Sequence, residues 1–351
     1  MANLNLYICL FVFCISLFSI QIKSLDEHPW LYKKHAALFV FGDSQFDAGN
    51  NNYINTTSKA NYWPYGETFF HYPSGRLSNG RIVPDFIAEY AKLPFIPTYL
   101  HPGNKILVYG VNFASAGSGA LVETRKGRVI DLQTQLVYFK NVTRLLEEEL
   151  GDAEAKDLLS RAVYLFSVGG NDYSFPFETN SSVLYTYSVE QFVGQVIGNI
   201  SQVIKVRCVP FSRARVPEGE NKCFEPIAPY DELHNKELSK LLQKLQIHLK
   251  GFKYSIPDFH TLLEQLINHP SKYGFKEGKT ACCGSGPFRG ILSCGGRRVK
   301  TEYYLCDNVS EYVFFDPAHP TERAYELLAQ MAWSGEPSFT GPYNLKALFE
   351  S

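Results

Sequence analysis

Short apolar runs that end in glycine alternate along this chain with stretches of helical periodicity, and this alternation constrains the fold more than any other feature. Ala36 to Phe41 runs into Gly42, and Val163 to Val168 runs into Gly169 and Gly170. Runs this short, bounded by turn residues and rich in branched and aromatic side chains, read as buried strands. Val108 to Phe113 reads as another strand. Phe252 to Phe259 is a weaker candidate, because Pro257 sits near its end.

Helical patterns lie between these runs. Val83 to Ala91 follows a polar turn. Ser188 and Gln191 have the capping-box spacing, and Phe192, Val193, Val196, Ile197, Ile200, Val203 and Ile204 then share one helical face. Leu238, Leu241, Leu242, Leu245 and Leu249 mark a further helix that Gly251 is placed to end. Pro320 opens a last helix through Met331. Strands alternating with helices predict an α/β fold, a three-layer α/β/α sandwich around a parallel sheet. No repeat or low-complexity linker divides the chain. With 45% hydrophobic residues in 351, it can bury one large core.

The first residues stand apart from this pattern. Leu4 to Ile20 is an uncharged apolar run followed by Gln21, Lys23 and Ser24, which reads as a signal-peptide core. Residues 1–24 are therefore expected to be a leader and residues 25–351 a single domain. Cys9 and Cys14 lie in that leader. The other cysteines, Cys208, Cys223, Cys282, Cys283, Cys294 and Cys306, all lie in the C-terminal half and read as disulfides formed in an oxidising compartment. Only a short Cys208–Cys223 loop is expected specifically. Glycosylation sequons stand at Asn55, Asn141, Asn180, Asn199 and Asn308. Together these features predict a secreted, extracellular protein. The formal net charge is −1, with both signs interleaved and no basic run, which argues against a nucleic-acid partner. No zinc motif of the CxxC or HExxH kind appears.

A parallel sheet places its site at the carboxyl ends of its strands, so the polar residues after each apolar run matter most. Serine hydrolysis needs a hydroxyl, a base, a carboxylate to orient the base, and donors for an oxyanion. Ser44 follows the first run. His319 is the candidate base, and Asp316 lies three residues before it, within reach of its ring. Asn171 can present its amide to an oxyanion, as can the backbone N–H groups of Ser44 and of the Ala116-Gly117 turn. Asp172 reads as structural. A Gly-Asp-Ser turn is ordinary turn chemistry when taken alone, and the G-x-S-x-G elbow of the α/β-hydrolases is absent.

Four blocks in order are more specific than any one of them: FVFGDSQFDAGNNN, YGVNFASAGSG, FSVGGNDY and FFDPAHPTERAY. With NYWPYG, SGRLSNGRIVPDFIAEY, SKYGFKEG and ACCG between them, the chain resembles the plant GDSL esterase/lipase family of the SGNH hydrolases. Within that family it looks most like the secreted, defence-associated lipases. The resemblance implies Ser44 as nucleophile, His319 as base, Asp316 as its orienting carboxylate, and an oxyanion hole of Ser44, Gly117 and Asn171. It implies a small-molecule or lipid ester as substrate and no metal or organic cofactor. The expected protein is a monomer with no stable membrane span once the leader is removed.

The chain departs from the family pattern in places. Gln45 stands where the name-giving motif has leucine, and little effect is expected there. Ala116 stands where many relatives carry glycine, so either Ala116 or Gly117 supplies the second-block donor. Relatives also carry a strand between the helix ending near Lys205 and the cysteine matching Cys208, and here the helix pattern runs straight into Val206-Arg207-Cys208. Loss of an interior strand unpairs backbone groups on its neighbours and opens a cavity. The alternative function is therefore a secreted non-catalytic or misfolded variant of the family.

Overall fold

The computed structural model describes residues 36–103, 105–198, 210–214, 226, 228–296 and 300–351. The leader, the sequon at Asn199, both cysteines of the expected Cys208–Cys223 loop and the Lys205 to Cys208 junction lie outside the described residues.

The first apolar run is strand β1, Leu38–Gly42, and every residue in it is buried. It pairs in parallel with β2, Val163–Ser167, in the register Leu38↔Val163 through Gly42↔Ser167. Strand periodicity sends alternate β1 side chains to opposite faces. Leu38 and Val40 pack with Val83, Phe86 and Ile87 of helix α1 (Val83–Tyr90). Phe39 and Phe41 face the other way, onto helices α2 (Leu132–Leu150) and α3 (Asp152–Arg161) through Val142, Leu146, Ala155 and Leu158. Helices therefore cover both faces of β1, which is why the run is apolar throughout and does not alternate.

The expected strand over Val108 to Phe113 is reduced to bridges. Asn112 bridges in parallel to Val40 on one side and Thr98 on the other. The Asn112 amide donates to the distant Phe46 carbonyl at 2.7 Å and accepts from Ala114 N–H at 3.0 Å. The pairing to β1 continues through Phe113 N–H to the Val40 carbonyl and Ser115 N–H to the Gly42 carbonyl, whereas the first half of the run is a 3-10 turn, Leu107–Tyr109, followed by Gly110 at φ +112°. The candidate at Phe252 to Phe259 forms strand only over Ser255–Pro257 (β3), because Asp258 caps the next helix by accepting from Thr261 N–H. β3 pairs antiparallel with β6, Thr340–Pro342.

Of the remaining helices, α4 is Gly170–Thr179, α5 Val189–Gly198, α6 Ala228–His248, α7 Phe259–Asn268 and α8 Glu322–Ser334. The Ser188 capping box forms as expected: Gln191 N–H donates to Ser188 Oγ, and Ser188 N–H donates to Gln191 Oε1. Helix α8 starts two residues later than the Pro320 rule predicts. Thr321 is its N-cap, because its hydroxyl can accept from Ala324 N–H and a proline ring cannot. Tyr325 and Leu328 of α8 complete the core over Leu38.

Four cysteines form the disulfides Cys282–Cys306 and Cys283–Cys294. They staple the short antiparallel pair β4 (Cys283–Gly284) and β5 (Tyr304–Leu305). Among the described residues no strand lies between β2 and β3. A cavity of about 310 Å³ opens there, between Phe166 and Ser167 on one side and Ile256 and Pro257 on the other. Among the described residues no helix is long and apolar enough to cross a membrane.

Candidate active site

The turn after β1 can form only because position 42 is glycine. Gly42 has φ +133°, and a Cβ there would sit 1.9 Å from the Ser167 carbonyl oxygen. This close approach lets Asp43 N–H donate to that same carbonyl at 2.8 Å, so the turn is fixed to the end of β2. Buried Gln135 holds it from the α2 side. Its amide oxygen accepts from Gly42 N–H at 2.8 Å and its amide nitrogen donates to the Gly42 carbonyl at 2.9 Å. Ser44 follows, half-buried at the carboxyl end of β1.

The acidic and amide residues after Ser44 knit the first block to the second. Asp47 accepts from the N–H groups of Gly49, Asn50 and Ala116. Asn50 donates to the carbonyls of Asn112 and Ala114, and Asn51 donates to that of Ala116. The Ala116–Asp47 bond of 2.9 Å resolves which residue of the second block has a free donor. Ala116 N–H is already engaged, whereas Gly117 N–H and Ser44 N–H have no acceptor among the described residues. Gly117 has φ +90°, a conformation that alanine there would adopt only under strain.

The third block meets the second at Ser118. Asn171, near the start of α4, donates from its amide nitrogen to the Ser118 carbonyl at 2.9 Å, and Ser118 Oγ donates to the Gly42 carbonyl at 2.7 Å. The amide has a second N–H beyond that bond. Neighbouring Asp172 is structural, as expected. It accepts from Ala120 N–H, Leu121 N–H and the Thr124 hydroxyl.

The fourth block forms a tight loop, closed by Phe315 N–H donating to the His319 carbonyl at 2.8 Å. Within it His319 Nδ1 lies 2.7 Å from Asp316 Oδ1 and 2.9 Å from Oδ2. Oδ1 also accepts from the N–H groups of Ala318 and His319. The Asp316 carboxyl is fully buried, which by itself would raise its pKa. The adjacent His319 ring, the Tyr65 hydroxyl and the Ala318 N–H together outweigh burial and hold it below the usual carboxylate value. The loop rests on the disulfide-bonded segment, with Cys282 N–H and Cys283 N–H donating to the carbonyls of Phe314 and Phe315.

Ser44 and the fourth block meet through the residues flanking the serine. Asp43 lies within the electrostatic reach of His319, and Gln45 Oε1 accepts from the Tyr325 hydroxyl at 2.7 Å. Gln45 is thus the partner of a buried tyrosine, contrary to the expectation that its identity matters little. Burial pushes the Asp43 carboxyl up to about 7, against the lowering effects of Gln45 N–H and His319. Ser44 Oγ has no hydrogen bond among the described residues, so the Ser44–His319 contact is not closed in this structure. Such contacts often tighten only when substrate binds.

Sequence reasoning missed several residues that build this site. Tyr65 donates to Asp316 Oδ2, Ser78 Oγ to the Pro320 carbonyl, and Glu322 N–H to Asn79 Oδ1. All three lie in NYWPYG or SGRLSNGR, stretches that stood out by resemblance but had no assigned role. The sequon asparagines separate by exposure. Asn55, Asn180 and Asn308 are exposed, whereas Asn141 is half-buried on α2 and donates to the Tyr99 hydroxyl.

A sequence profile of the GDSL-like lipase/acylhydrolase family matches residues 38–331. The chain is 51% identical to GDSL esterase/lipase 1 of Arabidopsis thaliana, over 94% of each chain. It is 50% identical to GDSL esterase/lipase 3 of the same plant, over 98% of this chain and 97% of the relative. It is also 50% identical to a GDSL lipase of Tanacetum cinerariifolium, over 90% and 88%. The chain belongs to the GDSL-like lipase/acylhydrolase family, and so to the carboxylic ester hydrolases.

Proposed function

We propose that this chain is a secreted serine esterase acting on lipid or acylated small-molecule esters through an acyl-enzyme on Ser44. The observation that carries the reading is the Asp316–His319 pair. A buried carboxylate 2.7 Å from Nδ1 holds that nitrogen as the protonated one, which leaves Nε2 to accept a proton. Ser44 Oγ attacks the ester carbonyl and gives its proton to His319 Nε2. Ser44 N–H, Gly117 N–H and the second Asn171 N–H receive the oxyanion. Collapse breaks the ester C–O bond, and the alcohol leaves with the proton from His319. Water then attacks the acyl-enzyme, again losing its proton to His319, and the acid is released from Ser44.

The same reading takes residues 1–24 as a removed leader, residues 25–351 as one monomeric domain, and Asn55, Asn141, Asn180, Asn199 and Asn308 as glycosylation sites. Exposure favours Asn55, Asn180 and Asn308 among them. It takes the fold as a three-layer α/β/α sandwich lacking one interior strand after Lys205, supported by the helices on both faces of β1 and by the cavity between β2 and β3. A fluorophosphonate probe tests the nucleophile. Peptide mapping of the labelled, secreted protein should place the adduct on Ser44. A folded protein that takes no label would overturn the assignment.

A further inference from the structure

Resting on the serine-esterase reading, we infer that Gln135 is a positioning residue for the reaction. Through Gly42 and Ser118 it sets the three proposed oxyanion donors, Ser44 N–H, Gly117 N–H and the Asn171 amide, as one unit. Gln135 is fully buried near the start of α2. That helix has its own N-cap, since Asp131 Oδ1 accepts from Thr134 N–H at 3.0 Å, so the Gln135 amide is not needed to begin it. The amide instead holds both backbone groups of Gly42. Oε1 accepts from Gly42 N–H at 2.8 Å, and Nε2 donates to the Gly42 carbonyl at 2.9 Å. These two groups belong to the peptide planes on either side of Gly42, so together they fix the direction of the chain two residues before Ser44.

The same amide reaches the other two donors. Gln135 Nε2 donates to the Ile130 carbonyl at 2.9 Å and lies 3.3 Å from Ser118 Oγ, which itself donates to the Gly42 carbonyl at 2.7 Å. Gly117 stands just before Ser118, in a turn closed by Ser118 N–H donating to the Ser115 carbonyl at 3.0 Å. The Ser118 carbonyl accepts from the Asn171 amide at 2.9 Å. Each donor is thus within two residues, or one hydrogen bond, of a group that Gln135 touches. The oxyanion exists only in the transition states and the tetrahedral intermediates between them. Donors displaced by a fraction of an ångström therefore stabilise it less and leave substrate binding unchanged.

Gln135→Met in the full secreted chain keeps the length of the side chain and removes its hydrogen bonds. For p-nitrophenyl acetate, kcat per fluorophosphonate-titrated site should fall at least about tenfold, with KM within about twofold of the parent. Thr340→Val is the control for a merely structural loss. It removes a buried side-chain bond outside the four blocks, from Thr340 Oγ1 to the Met331 carbonyl at 2.7 Å. It should lower the melting temperature and leave kcat within about twofold of the parent. Equal losses of kcat in the two variants, or an unchanged kcat in Gln135→Met, overturn the inference. Should Gln135→Met fail to fold, Gln135→Asn keeps a buried amide one methylene too short to span to Gly42, and the same fall and the same overturning result apply. Amide hydrogen exchange read by mass spectrometry needs no hydrolysis. Residues 38–46 and 111–119 should both exchange faster in Gln135→Met than in the parent, with residues 322–334 unchanged. Exchange that stays at the parental rate over 111–119 overturns the inference. If the parent cleaves no ester while exchange rises over both segments, the serine-esterase reading fails and the linkage of the two loops through Gln135 stands.

Discussion

The Tyr65 hydroxyl donates a 2.6 Å hydrogen bond to Asp316 Oδ2 across 251 positions of sequence. Oδ1 takes the two loop N–H groups, and the His319 ring faces both oxygens, at 2.7 Å from Oδ1 and 2.9 Å from Oδ2. Tyr65 and Asp316 are both buried, and the Tyr65 ring packs edge-on against Phe315. Tyr65→Phe keeps that packing and removes one bond to a charged acceptor. It should lower kcat by roughly tenfold, in line with about 1.5 kcal/mol for such a bond, with KM little changed. Steady-state kinetics on a soluble ester measures this. An unchanged kcat would mean that the backbone donors alone orient the carboxylate.

Gln45 and Tyr325 provide a second test. Gln45→Leu recreates the name-giving family motif but leaves the buried Tyr325 hydroxyl without its 2.7 Å acceptor. The expected cost is about 1–3 kcal/mol of stability. Adding Tyr325→Phe should recover most of it, because removing both partners leaves no orphaned polar group. Urea unfolding of the two single variants and the double variant measures the coupling, and strictly additive losses would contradict the pairing.

Asp43 sets an expectation for pH. Its carboxyl ordinarily titrates near 3.8 and is pushed up to about 7 here by burial, against bonds from Gln45 N–H and Ser167 Oγ. The folded protein therefore holds this proton more tightly than the unfolded chain. The stability it contributes is fully present below about 3.8 and is lost as pH rises through about 7. Asp47 and Asp172, each raised by burial to about 6, act with the same sign. The melting temperature should fall between pH 5 and pH 8. Asp43→Asn keeps the acceptor for Gln45 N–H and should flatten that fall. A melting temperature that rises over this range would contradict the assignment.

How much of this site could be read from sequence follows from the range of the interactions. Ser44, Asn171, Asp316 and His319 were legible because each follows an apolar run, and strand geometry sends such residues to one end of a sheet. The Asp316–His319 contact was legible because its partners are three residues apart. Tyr65, Gln135 and the Gln45–Tyr325 pair were not, since nothing local in their sequence shows which distant polar group each satisfies. The choice of Gly117 over Ala116 as free donor depends on Asp47 engaging Ala116, a contact across 69 positions. Among the fold elements, β1 was read correctly because burial on both faces makes it apolar throughout, and β2 because its run of branched and aromatic residues ends in Gly169 and Gly170, although Tyr164 is exposed. Val108 to Phe113 was overread as a strand because its first half turns as a 3-10 helix, Leu107–Tyr109, before Gly110 at φ +112° returns the chain to β1.

The Cys283–Cys294 disulfide spans 11 positions and backs the Asp316 loop through Cys283 N–H and the Phe315 carbonyl. Replacing both cysteines by serine should cost about 2–3 kcal/mol, as expected for closing a loop of that size. Non-reducing urea denaturation reads the loss, and an unchanged midpoint would show that the loop stands without the bridge.

In the proposed mechanism Ser44 carries the acyl group. Hydrolysis of p-nitrophenyl acetate by the purified, secreted protein and by Ser44→Ala, side by side and with matched circular dichroism, tests it most directly. The substitution should lower kcat by at least about a thousandfold. Hydrolysis that persists at near-parental rate in Ser44→Ala would contradict it.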